Sequence, residues 1–162
     1  MNPSGKLPLT FYHDVSELPD FTDYSMENRT YRYFTGTSLY PFGYGLSYTD
    51  FEVTAAELSD NEVEVSIRNT GSMDGETVVQ VYAACDSPFA PRHPRLCGFR
   101  RAAVRAGETK TERVKLDRHT REVVDAEGER RSVEHGILYV GLNQPDPRSA
   151  ELTGQKPIKI RF

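Results

Sequence analysis

Catalysis and metal binding need carboxylates, imidazoles, thiols or hydroxyls gathered at workable spacings. The densest carboxylate run here is Asp14, Glu17, Asp20, Asp23 and Glu27. A carboxylate pair becomes a general acid and base through burial and a held separation. The sequence shows neither, so these five are read as solvated turn residues. His13, His93, His119 and His135 are scattered through turn-like contexts. Cys85, His93 and Cys97 could begin a metal site, but their spacings match no standard zinc pattern and a fourth ligand is missing. No Ser, Cys or Asp stands in a nucleophile motif such as G-x-S-x-G. Gly43 and Gly45 could open a G-x-G-x-x-G phosphate loop, yet Tyr48 fills the third glycine position and no strand-then-helix pattern surrounds it. Tyr82 and Tyr139 could stack on a sugar, but both fall within expected strands, where core packing is the commoner fate. No catalytic residue, metal site or cofactor is expected in this chain.

The elements that position these residues are organised around Tyr40 to Thr49, YPFGYGLSYT. Pro41 fixes its own φ and biases Tyr40 towards an extended conformation. Gly43 and Gly45 permit backbone angles or close approaches that a β-carbon would forbid. Phe42, Tyr44 and Tyr48 bring large faces that need something to pack on. The stretch reads as a rigid seam between two differently built pieces: an arm, residues 1–45, and a second piece, residues 46–162.

Prolines at 3, 8, 19 and 41 interrupt the arm. Leu7, Leu9 and Phe11 alternate with Pro8, Thr10 and Tyr12 as one short strand would. Twelve of the chain's seventeen Phe and Tyr residues lie between Phe11 and Phe51. Disordered segments are poor in aromatics because they cannot bury them, so the arm is built to lie on a surface. That surface is either the sandwich that follows or a partner outside this chain. The second is favoured, because irregular loops longer than about fifteen residues are uncommon inside a compact domain. Asn28-Arg-Thr30 has the pattern of a glycosylation sequon, which matters only in a eukaryotic secretory setting.

From residue 46 alternation dominates. Phe51, Val53 and Ala55 form one side of a first strand; Val63, Val65 and Ile67 form the cleanest half-buried strand. Val79, Val81 and Ala83 follow, opposite Val78, Gln80 and Tyr82. Leu96 to Val104 and Thr109 to Leu116 are further strands, with Glu112 of the inward parity and therefore expected at an exposed end. Asp125 to Gly128 reads as a turn between short strands carrying Val123 and Val133. Ile137 to Leu142 reads as a central strand covered on both faces. Ile158, Ile160 and Phe162 close the chain after Pro157. Short strands at this spacing, without a convincing long helix, argue for an all-β fold of two antiparallel sheets packed face to face, with a closed barrel as the alternative.

The bulk numbers narrow the classes. The 162 residues suit one domain, or one domain plus an appendage. A net charge of −4 with interspersed signs argues against nucleic-acid binding. No apolar run approaches the roughly 20 residues of a membrane span, so no membrane partner is expected. The first residues, MNPSGKLPLTFY, show no signal-peptide pattern, which slightly favours a cytoplasmic setting over a secreted parent. Cys85 and Cys97 are accordingly read as free thiols rather than a bridge.

Four stretches resemble the C-terminal part of glycoside hydrolase family 3, the β-glucosidase and β-xylosidase family. Asn2 to Pro8 with Thr10-Phe11 resembles the segment leaving that family's α/β domain. Arg29 to Phe34 and Leu39 to Thr49 resemble its linker, the latter with high specificity. Asn69 to Gly75, Leu96 with Gly98-Phe99, and Leu138 to Gly141 resemble its fibronectin type III-like domain. The chain departs from the pattern in having no Trp and in carrying His135 where a proline is common. The resemblance implies an immunoglobulin-like (fibronectin type III-like) sandwich preceded by an irregular N-terminal arm. It further implies a parent enzyme that is a retaining exo-glycosidase, working through a nucleophile and an acid/base carboxylate. In the family both residues precede this segment, so no residue here inherits a catalytic role and the chain alone is expected to be inactive. Asn2-Pro-Ser normally follows a long stretch of enzyme, so Met1 is expected to be an artificial start.

On this reading the partners are the parent's missing catalytic barrel and α/β domains. The interdomain packing residues are Phe11, Phe21, Tyr31, Tyr33, Phe34, Tyr40, Phe42, Gly43, Tyr44, Gly45 and Tyr48. The isolated chain is expected to leave its arm mobile or to cover it by self-association. A free-standing carbohydrate-binding or adhesion module is the competing function.

Overall fold

The computed structural model describes residues 2–162. After the arm, nine strands carry the chain: β1 (Phe51–Ser59), β2 (Glu62–Asn69), β3 (Gly75–Cys85), β4 (Arg95–Val104), β5 (Thr109–Lys115), β6 (Glu122–Val124), β7 (Arg130–Ser132), β8 (Gly136–Gly141) and β9 (Ile158–Arg161). Two short helices join them, α1 (Thr30–Tyr33) in the arm and α2 (Pro147–Thr153) between β8 and β9.

Every pairing is antiparallel, in one sheet ordered β1-β2-β5, a second ordered β4-β3-β8-β9, and a small β6-β7 hairpin. The two main sheets share no strand pairing, so the fold is a sandwich and not a closed barrel. Val63, Val65, Ile67 and Val114 from one sheet meet Val79, Val81, Ala102, Leu138 and Val140 from the other. Each of the valine, leucine and isoleucine side chains among them contributes about 1.5–3 kcal/mol by leaving water. The strict alternation of β2 and the central place of β8 follow from this face-to-face packing.

Three local features depart from simple alternation. In β1 the register slips between Val53 and Ala55, a bulge that turns Ala55 outward and brings Ala56 and Leu58 against the core. Phe51 and Val53 therefore share a side that Ala55 does not. Glu112 lies in the body of β5 opposite Val65, not at an exposed end. Lys110 at 2.8 Å and Arg100 at 3.4 Å pair with its carboxylate, which makes an inward-parity glutamate tolerable near the sheet rim.

The third is α2. Its start is capped by Asp146, whose carboxylate accepts from the Ser149 amide; Pro147 occupies the first turn, and Gly154 ends it at φ 69°. Asp, Pro and Gly at those offsets are the sequence marks of a short helix.

Two polar groups fix the loops. Asn69 is fully buried and uses its whole amide. Its Oδ1 accepts from Thr49 Oγ1 and Gly71 N, and its Nδ2 donates to the carbonyls of Met73 and Val104. One side chain thereby ties the start of β1, the β2–β3 loop and the end of β4. Asp125 organises the β6–β7 turn by accepting from Glu127 N, Glu129 N and Arg131 Nε.

Asn69→Ala strands those four partners and is expected to lower unfolding stability by about 3 kcal/mol, read from denaturant midpoints. The Arg131 hydrogen bond holds the Asp125 carboxyl below its ordinary range, and the Lys110 hydrogen bond does the same for Glu112. Depressed folded-state values give stability that is present above the unfolded values of about 4 and lost as pH falls through the folded ones. Acid titration of unfolding should therefore steepen below about pH 4, and Asp125→Asn with Glu112→Gln should flatten that limb.

Candidate functional site

The seam is built from both pieces. Residues 7–11 run antiparallel to 39–44: Leu7 N donates to Tyr44 O, Gly43 N to Leu7 O, Phe11 N to Tyr40 O, and Leu39 N to Phe11 O. The Leu7–Phe11 alternation yields this short ladder, whose bridge is Phe11 to Tyr40, rather than a full strand. The ladder carries Pro41, Phe42 and Gly43 onto the outer face of β3. There Phe42 stacks on Tyr31 with ring centres 4.3 Å apart, and both rings meet Tyr82 edge-on. Tyr82 is fully buried and donates its hydroxyl to Gln80 Oε1 at 2.6 Å. Gln80 Nε2 donates to Gly43 O at 3.0 Å and to Leu142 O at 2.9 Å.

Gly43 is required twice over. Its φ of 76° lies in the left-handed region, and a β-carbon would collide with Gln80 Oε1 and sit 2.8 Å from the Tyr82 hydroxyl. Gly45 meets the second condition alone, because a β-carbon there would run into the carbonyl of Gly5. The two glycines thus serve close packing between protein segments.

Of the positions singled out from the sequence, Tyr31, Phe34, Phe42 and Gly43 pack against the sandwich or the arm's inner side, and Phe11, Tyr40 and Tyr44 contact one another in series. Phe34 is buried, packs edge-on to Tyr12, and offers its carbonyl to His93 Nε2 at 2.8 Å. Tyr33, Tyr44 and Gly45 are half-buried, Tyr44 stacking on Tyr40. Phe11, Tyr40 and Tyr48 are exposed, and Phe21 is 93% exposed. Tyr24, not singled out, is 91% exposed beside it. The loop that raises these two is tightly wound. Asp14, Asp20 and Asp23 each accept from the amide two residues on, and Arg29 Nη2 clasps the carbonyls of Asp20 and Asp23.

The same turns occupy three of the five arm carboxylates. Asp14 and Asp23 are held below the ordinary carboxylate range chiefly by backbone hydrogen bonds from Ser16 and Ser25, and Asp20 by the Thr22 side chain. A general acid working near neutrality needs the opposite shift. Asn28 accepts from Thr35 and closes the loop before the seam.

The other candidates are dispersed. His119 pairs with Glu122, and His93 serves the arm. Cys85 and Cys97 are free thiols, and burial pushes the Cys97 thiol up to about 12. Among the described residues no group of three or more His, Cys, Asp or Glu is placed to hold a metal. Tyr82 is core, and Tyr139 lies beneath the Lys159 ammonium.

A fibronectin-like sandwich with a stapled aromatic arm is the class this geometry defines. Residues 77–143 match the fibronectin type III-like domain model, and residues 1–48 match the glycosyl hydrolase family 3 C-terminal domain model. A xylan 1,4-β-xylosidase of Xylanibacter ruminicola is 41% identical over 162 residues, covering 94% of this chain and 18% of that protein. Thermostable β-glucosidase B of Acetivibrio thermocellus is 32% identical, covering all of this chain and 25% of its own length. The crystal structure of DesR, a β-glucosidase of Streptomyces venezuelae in complex with D-glucose, superposes with TM-score 0.76 at 28% identity, over 99% of this chain and 23% of that one. The chain belongs to glycoside hydrolase family 3 and corresponds to the C-terminal portion of such an enzyme, linker plus fibronectin type III-like domain. It spans about a fifth of the length of the relatives it matches.

Gly43→Ala is expected to lower stability by about 3 kcal/mol and to loosen the arm, through positive φ and the Gln80 collision together. Gly5→Ala, whose β-carbon would meet nothing within 4 Å, should change little. Denaturant unfolding of the two variants makes the comparison.

Proposed function

We propose that this chain is a non-catalytic accessory module whose arm clamps it to the preceding domains of a parent enzyme. That parent hydrolyses terminal β-glycosidic bonds as a β-glucosidase or β-xylosidase, through two carboxylates that lie outside these residues. The division falls at the seam, with 1–45 as arm and linker and 46–162 as sandwich. The observation that carries this reading is the tightly wound loop that holds Phe21 and Tyr24 almost wholly in water. A loop wound by its own side chains around two bare aromatic rings is shaped to receive a second surface.

Phe11, Tyr40 and Tyr48 are further exposed rings, and Tyr33, Tyr44 and Gly45 half-buried positions, of the same arm. A groove of 630 Å³ lined by Pro8, Leu9, Met26 and Tyr33 opens beside it. Lys6, beneath Gly45, fits the same account: burial lowers its ammonium to about 8, and no carboxylate among the described residues pairs with it. Tyr31, Phe42 and Gly43 fix the arm to the sandwich through Tyr82 and Gln80. In the isolated chain the exposed rings are also the surface through which self-association would occur.

The double replacement Phe21→Ser with Tyr24→Ser tests the proposal. In the isolated chain it should shift stability by less than about 0.5 kcal/mol, as for surface residues that touch nothing. In the full-length enzyme it should lower the unfolding temperature by several degrees and reduce turnover of aryl β-glycosides. Equal, negligible effects in both proteins, or turnover of those substrates by the isolated chain, would refute it.

A further inference from the structure

A hollow of 220 Å³ lies where residues 44–47 of the seam meet the start of β1 and the connection that carries α2. Leu46, Phe51, Leu142 and Leu152 give it apolar walls. Lys6 enters it from the arm. Its stem passes beneath Gly45, where an added β-carbon would sit 3.0 Å from Lys6 Cδ. The ammonium makes no ion pair among the described residues. Asp50, the one carboxylate in the wall among the described residues, is exposed and lies beyond ion-pair reach of it. With no charge to offset it, burial brings the Lys6 ammonium down to about 8.

Asn143 lines the same hollow, and its Oδ1 is buried without a hydrogen-bond partner. The two groups call for different complements. An ammonium taken out of water needs a carboxylate, whereas an amide oxygen needs a donor. A free anion serves the first and not the second. A peptide segment bearing Asp or Glu brings both, a carboxylate for Lys6 and a backbone N–H for Asn143. Lys6 falls in the stretch 1–48 that matches the glycosyl hydrolase family 3 C-terminal domain model, outside the sandwich match at 77–143. The relatives that match are far longer than this chain, so such a segment has an evident source.

We propose that this hollow receives an Asp or Glu side chain from the parent's preceding domains, paired with Lys6 and followed by a backbone amide on Asn143. The proposal rests on the docking of the arm set out above and names the charge that docking brings.

Amine acetylation of this chain and of the full-length parent, mapped by peptide mass spectrometry across pH, tests it. In the isolated chain Lys6 should react with a midpoint near pH 8, below the ordinary lysine value of about 10.4. In the full-length enzyme it should react about tenfold or more slowly at pH 8, its midpoint moved above about 10 by the carboxylate. Cover without pairing would slow the reaction but leave the midpoint near 8 or lower, and that result, or equal labelling of both proteins, would overturn the proposal. Lys6→Met gives a second readout. It should leave the isolated chain's unfolding midpoint unchanged or higher, because an unpaired ammonium is removed. In the full-length enzyme it should lower the unfolding temperature by several degrees, because the carboxylate is stranded. If Phe21→Ser with Tyr24→Ser weakens the full-length enzyme while Lys6→Met does not, the docking stands and this pairing falls.

Discussion

The Gln80 side chain can satisfy its amide only if two distant stretches come to it. One is Gly43, the other Leu142, and the Tyr82 hydroxyl completes the set. β3 would otherwise be an ordinary sandwich strand, with Val79, Val81 and Ala83 inward and Gln80 and Tyr82 in water. Covered by Phe42 and Tyr31, it is buried on both faces. A polar amide and a phenol beneath an aromatic lid are high-stakes groups, stable when fully paired and costly when exposed to a partial fit. That is why the seam tolerates no β-carbon at Gly43.

This constraint divides the arm into two parts with different tasks. The ladder and the Tyr31–Phe42 stack belong energetically to the sandwich and set where the arm emerges. The loop from Val15 to Met26 spends its polar groups on its own turns and leaves Val15, Phe21 and Tyr24 uncovered. Rigidity in such a loop lowers the ordering cost of meeting another surface. On the proposed function the sandwich is the base, the seam the mount, and the loop the element presented to the parent enzyme.

Much of the sandwich was legible because its residues report their own surroundings. Val63, Val65 and Ile67 alternate with charged neighbours, and Ile137 to Leu142 runs apolar because both faces are covered. The Thr54 bulge left no such mark, since small residues fit either side. Glu112 misled because its two cationic partners, Lys110 and Arg100, are recognisable only once β4 and β5 are brought together. The α2 helix had local marks in Asp146, Pro147 and Gly154, but its few apolar residues show no helical period. In the seam, residue types showed that Phe42 and Tyr31 needed cover; which surface supplied it depended on pairings between segments far apart in sequence.

Residue-resolved amide exchange tests the mount most directly. The amides of Leu7, Phe11, Leu39 and Gly43 each donate to a carbonyl of the ladder. They should exchange as slowly as amides of β3, while those between Val15 and Met26 exchange far faster. Rapid exchange at all four ladder amides, with β3 still protected, would mean that the arm is a loose tail and that the Gln80 clamp does not hold it.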